Sequence, residues 1–199
     1  ENEFKNEESH NKLLFEASKL SKSIIRKSIS VREITIEKVN NNDINLLQVD
    51  NFDLVTNKFT PALALPASLG FKNLIIHPLS ISPLQKKNNE FLEMEQISNG
   101  KILFQLFVRG KPFIGLDYNN DHWLEAIKNL EIEERLSGII IYGCPYLYDK
   151  IKKAIHESIP LAYSPSQAEE AQSQILSRIF QSKIHQNEID KISSKEFTD

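Results

Sequence analysis

Residues 137–180 alternate short apolar runs with amphipathic segments, and a turn signal stands at every junction. The run at 137–143 (SGIIIYG) closes on Gly143. Cys144 and Pro145 then open a segment with Leu147, Ile151, Ala154 and Ile155 on one helical face. Residues 160–163 (PLAY) form the next short strand, and Ser164, Pro165, Ser166 and Gln167 start the last helix. A continuous apolar strand needs cover on both faces, so the pattern predicts a parallel sheet flanked by helices. Parallel sheets place a site at the carboxyl ends of their strands. That edge is where function is to be sought.

The rest of the chain extends the pattern. Residues 1–8 are polar and expected to fray, and an amphipathic helix is predicted over 9–28 with Leu13, Ala17, Leu20 and Ile24 as its stripe. Residues 34–36 alternate as an edge strand would, and 44–49 read as a buried strand. The apolar stretch 52–66 is broken by Pro61 and Pro66, which predicts a loop and a short helical turn running to Gly70. Residues 74–76 are a further strand, and the polar stretch 86–99 is the expected flexible insertion. Residues 102–108 (ILFQLFV) are the strongest strand of the first two thirds, with a loop from Arg109 to Pro112 at its carboxyl end. Asn120 or Asp121 caps a helix that turns Trp123, Ala126, Ile127 and Leu130 inward.

The sum is an α/β three-layer sandwich, with a mostly parallel five- to six-stranded sheet flanked by helices, over residues 31–180. Residues 1–30 make a polar start and linker helix. Residues 181–199 are a polar tail, read as weak helix or disorder.

Composition narrows the function classes. A chain of 199 residues with 40% hydrophobic and 26% charged residues fits one globular domain. The net charge of −3, with basic residues scattered, gives no nucleic-acid footprint. No apolar run is long enough to cross a bilayer, and no signal peptide opens the chain, so no membrane partner is expected. The single cysteine, Cys144, excludes an internal disulfide and suits a reducing, cytoplasmic setting. The chain starts at Glu1 and its one methionine is Met94, so it is expected to be a processed product or the carboxyl-terminal piece of something longer.

Motifs with chemistry are few. Gly110 and Gly115 have the spacing of a phosphate-binding loop, but Leu116 and Asp117 stand where lysine and serine or threonine are needed. With 6 glycines and none closely spaced after the first strand, nucleotide binding is not expected, and no cofactor is implied. The histidines at 10, 77, 122, 156 and 185 lack metal-ligand spacing. His77 ends a strand, where a general acid or base could sit, or simply a satisfied polar residue. Cys144 has a nucleophile-like position between strand and helix, yet no nearby base and no flanking small residues, so a buried apolar role fits better. Ser164, Pro165 and Gln167 read as a capping box. Asp117, beside Tyr118 and near Trp123, is the acid with sugar-friendly aromatic neighbours, though a loop-rim role is the simpler one.

Residues 106–113 (LFVRGKPF), 140–146 (IIYGCPY) and 162–172 (AYSPSQAEEAQ), with the opening helix running into 28–31 (SISV), together resemble the carboxyl-terminal α/β domain of glycoside hydrolase family 3. The likeness is to its β-N-acetylhexosaminidase-like or β-glucosidase-related members of cyanobacterial type, and it covers most of residues 13–180. It implies an amino-terminal (β/α)₈ barrel that binds the carbohydrate and supplies an aspartate nucleophile. It also implies that this domain packs on that barrel. No position here matches the barrel's signatures, so the resemblance carries over no catalytic residue. The strand-end rule makes Arg109, Lys111, Asp117, His77, Cys144 and Tyr146 the candidates to face the barrel or a ligand. Two rivals stay open: a freestanding hydrolase using Cys144 or Ser164, and a doubly wound small-ligand domain.

Overall fold

A computed structural model describes residues 2–32, 36, 39–49, 60–76, 99–108 and 120–180, without the side chains of residues 2–9, 49, 76 and 120–123. Its elements in chain order are α1 (Asn2–Ser28), β1 (Ser30–Val31), β2 (Ile44–Val49), α2 (Pro61–Ser68), β3 (Lys72–Ile76), β4 (Ile102–Phe107), α3 (Asn120–Ile132), β5 (Leu136–Tyr142), α4 (Pro145–Ala154), β6 (Leu161–Ser164) and α5 (Glu169–Ile179). The six strands form one sheet in the order β1-β6-β5-β4-β2-β3. Every neighbouring pair is parallel except β1 with β6. The predicted three-layer sandwich is the observed architecture.

Period-2 alternation sorts the strand residues onto two cores. Ile44, Leu46, Ile102, Phe104, Leu106, Ile139 and Ile141 face Ala126, Ile127 and Leu130 of α3 and Leu147 and Ile151 of α4. Leu47, Leu103, Phe107, Ile140 and Tyr142 face Leu63 and Leu65 of α2 and Ile175, Leu176 and Ile179 of α5. Both faces of β4 and β5 are therefore apolar, and every residue of these two strands is buried. That is the physical reason the central strands read as unbroken hydrophobic runs.

Two local expectations need correcting, and a third falls mostly outside the described residues. The opening helix begins at Asn2 rather than at residue 9. The edge strand is Ser30–Val31, immediately after that helix, while residues 34 and 35 of the expected edge strand lie outside the described residues. The last helix starts at Glu169, not at Ser164. Ser164 finishes β6, and its hydroxyl accepts the Ser166 N–H at 3.0 Å, while the Ser166 hydroxyl accepts the Ala168 N–H at 3.2 Å. These consecutive serine turns occupy the groups a capping box needs. The Gln167 side chain is engaged elsewhere, donating to the Tyr142 carbonyl at 3.3 Å.

The stretch around Pro66 is a true helix of 8 residues with proline inside it. Pro66 lacks the N–H that would bond the carbonyl four residues back, that of Ala62. The sheet replaces it: Asn45 Nδ2 and Gln105 Nε2 donate to the Ala62 carbonyl at 2.8 and 2.9 Å. Gln172 of α5 accepts the Ala62 N–H at 3.0 Å. A helix too short to be stable alone is thus fastened to the sheet by both of Ala62's backbone polar groups.

Candidate functional site

The sheet order defines the site geometry. Counting only the parallel strands, the chain runs from β2 outward to β3, then returns past β2 to β4 and continues through β5 to β6. The direction of travel reverses between β2 and β4. In open α/β sheets, ligands bind in the crevice at the carboxyl ends of the strands flanking such a reversal. Val49 and Phe107, in register across this pair, mark its rim.

The carboxyl edge next to the reversal is rigidly built. The Val108 N–H donates to the Tyr142 carbonyl at 3.0 Å, and the Gly143 N–H donates to the Ser164 carbonyl at 2.8 Å. The ends of β4, β5 and β6 are therefore tied in a row. Gly143 has φ of +102°, and a Cβ there would collide with the Val108 carbonyl oxygen. Only glycine lets β5 turn into α4 this close to its neighbour.

Beneath the edge lies a buried polar chain. The Tyr142 hydroxyl donates to Gln105 Oε1 at 3.1 Å, and Gln105 Nε2 donates to Asn45 Oδ1 at 2.7 Å. Asn45 Nδ2 then donates to Asn73 Oδ1 at 2.8 Å. Tyr142 also stacks on Phe107 with centroids 4.3 Å apart. Burial pushes the Tyr142 hydroxyl well above its ordinary pKa, so it stays a neutral donor. Asn45 and Gln105 gave little sequence signal, since each is one polar residue within an apolar strand.

Arg109, Lys111, Asp117 and His77 lie outside the described residues. What is fixed is where their segments leave the sheet: Arg109 directly follows Val108 at the reversal, and His77 directly follows β3. Cys144 is the residue before α4, and its side chain is buried at 3% exposure in the core under α3 and α4. Tyr146, on the first turn of α4, is 62% exposed and stands at the carboxyl edge.

Neither residue of the hydrolase rival is open to a substrate. Ser164 is fully buried and its oxygen is held by the Ser166 N–H. His156 lies past the far end of α4, whose 10 residues span roughly 15 Å at 1.5 Å per residue, while Cys144 stands just before its start. Its ring nitrogen is engaged with Ser158, the hydroxyl lying 2.7 Å from Nδ1. Near Cys144, Tyr163 has its hydroxyl pKa raised, first by burial and then by the thiol and Asp149. Its ring stacks on Tyr148 at 4.9 Å. That is a packing arrangement, not an acid–base pair. Among the described residues, no group of three or more His, Cys, Asp or Glu side chains is placed to hold a metal ion.

The edge therefore offers shape, backbone groups and one exposed aromatic ring, with no catalytic constellation among the described residues. Residues 36–181 match the family described as the bacterial glycosyl hydrolase family 3 C-terminal domain. No curated protein matches the chain. With most of its length covered by that match, the chain belongs to the bacterial glycosyl hydrolase family 3 C-terminal domain family.

Proposed function

We propose that the chain is the accessory domain of a family 3 glycosidase, packing against an amino-terminal (β/α)₈ barrel of the same polypeptide. The barrel carries the sugar site and the nucleophile; this domain braces it and completes its rim. The family match over residues 36–181 is the observation that carries the reading. The buried positions of Cys144 and Ser164 support it, since the domain's own nucleophile candidates are closed off.

The intact enzyme is a retaining hydrolase of β-N-acetylhexosaminidase or β-glucosidase type, acting on a carbohydrate through a covalent glycosyl intermediate. Its setting is cytoplasmic, where the free thiol of Cys144 remains reduced. The rim that meets barrel or sugar is assigned to Arg109, Lys111 and Asp117, which follow β4 in the sequence, and to the exposed Tyr146 after β5, while Cys144, buried at 3% exposure, takes no part. His77 leaves β3 on the same edge. Tyr146 suits the apolar face of a pyranose ring; Arg109 and Lys111 suit carboxylates on the barrel.

The test compares the 199-residue chain with the longer polypeptide on the p-nitrophenyl derivatives of N-acetyl-β-glucosamine and β-glucose. The longer polypeptide hydrolyses one of them and the chain alone neither. Turnover by the isolated chain, or a preceding segment with no barrel, would overturn the proposal.

A further inference from the structure

Every residue of α1 from His10 to Ile24 is exposed. Five of the seven large hydrophobic side chains exposed among the described residues lie in this stretch: Leu13, Leu14, Phe15, Leu20 and Ile24. At about 100° per residue, Leu13, Leu14, Ala17, Leu20 and Ile24 fall within one arc of about 120° around the helix, and Phe15 lies outside it. That is the width of a helix face meant for burial. Left uncovered, it marks an interaction surface.

A second row runs beside the first. Lys12, Lys19 and Arg26 recur every seven residues, and Lys5 continues that spacing backward in the sequence. Seven residues are close to two helical turns, so the row follows one line along α1. Lys12 and Lys19 directly precede Leu13 and Leu20, which sets the basic line about 100° around the helix from the apolar one. Between His10 and Ser28 stand Lys12, Lys19, Lys22, Arg26 and Lys27 against Glu16, a net +4. The other acids of α1, Glu3, Glu7 and Glu8, all precede His10. Lys22 turns to the domain, where it pairs with Glu170 at 3.8 Å.

We infer that residues 12–27 of α1 dock on an anionic lipid surface, with the apolar arc at the acyl boundary and the basic line among the headgroups. Parallel apolar and basic rows complement such an interface, where hydrocarbon and negative charge lie within about 5–10 Å of each other. Lysine and arginine stems extend along the apolar layer while their charged ends reach the phosphates. A second copy of the chain fits the pattern less well. Continued at its own spacing, the stripe meets Asn6 and His10 before Leu13 and Lys27 after Ile24. The apolar seam is thus shorter than two heptads, whereas a helix pair needs about three or four. Among the described residues, no helix is long and apolar enough to cross a membrane. Lying at an interface needs no such run; it needs the two rows that α1 carries. The inference goes beyond the accessory-domain reading and stands independently of it.

Sedimentation of the 199-residue chain with phosphatidylcholine vesicles, with and without an equal part of phosphatidylglycerol, tests this. The chain binds the mixed vesicles about tenfold more tightly or better, and added salt erodes the preference. K12Q/K19Q weakens binding to the mixed vesicles about twentyfold, and L13S/L20S abolishes it. Both variants melt within about 2 °C of the wild type, because all four side chains are exposed. No binding, equal binding to the two kinds of vesicle, or variants that bind like the wild type overturn the inference. Dimerisation in lipid-free buffer that L13S/L20S removes assigns the stripe to a second copy, which also overturns it. Slow amide exchange of residues 12–24 in the longer polypeptide without lipid assigns the stripe to that polypeptide's own surface, with the same consequence. Glycosidase assays read the accessory-domain proposal separately, so either can fail alone.

Discussion

Gln105 shows how single polar residues organise this fold. It accepts from the Tyr142 hydroxyl and donates to Asn45 and to the Ala62 carbonyl, all in the interior. Replacing it by leucine leaves the Tyr142 hydroxyl without its acceptor and Asn45 Oδ1 without its donor. Gln105→Leu should therefore cost about 2–4 kcal/mol, read as a lower denaturant midpoint with unchanged slope. Tyr142→Phe removes only one donor and should cost about 1–2 kcal/mol. It should also change the pH profile. The folded-state pKa of Tyr142 is raised, so its contribution is fully present below its ordinary value of 10.0 and is lost as pH climbs above that. The stability difference between wild type and Tyr142→Phe should thus shrink above pH 10.0 and be flat below it. The opposite change concerns Thr60, which is buried at 1% exposure with its hydroxyl unpaired among the described residues. Thr60→Val keeps the shape and should stabilise by about 1 kcal/mol.

At the scale of elements, the strands were legible because burial on both sheet faces forces continuous apolar runs. Residues 44–49 and 102–107 follow from composition alone. The helix starting at Pro145 was legible for another reason: proline at the first turn needs no N–H partner. The failures have a common cause. Ser164, Ser166 and Gln167 have the capping pattern, but their side chains are recruited by neighbouring turns and by the end of β5, which sequence spacing cannot reveal. Pro66 reads as a breaker because the donors that replace its missing hydrogen bond come from β2 and β4. Arg32 belongs here too, since its guanidinium donates to the Lys152, His156 and Ile159 carbonyls and closes the carboxyl end of α4. Gly143→Ala combines a positive φ with a backbone collision and should destabilise by about 2 kcal/mol or more.

For the whole molecule, the sequence pattern led to a parallel sheet, and the family match agrees with the resemblance carried by its strand ends. The candidate site was legible only as an edge. Its strand order, with the reversal between β2 and β4, depends on which way each crossover turns, and periodicity is silent about that. The described residues combine a closed core, tied strand ends and an apolar stripe exposed on α1, which suits the proposed accessory role. Hydrolysis of the two p-nitrophenyl glycosides by the purified 199-residue chain, set beside the longer polypeptide, probes that view most directly. The expected result is activity confined to the longer form. Steady turnover by the shorter one, lost when Cys144 or Ser164 is changed to alanine, would contradict it.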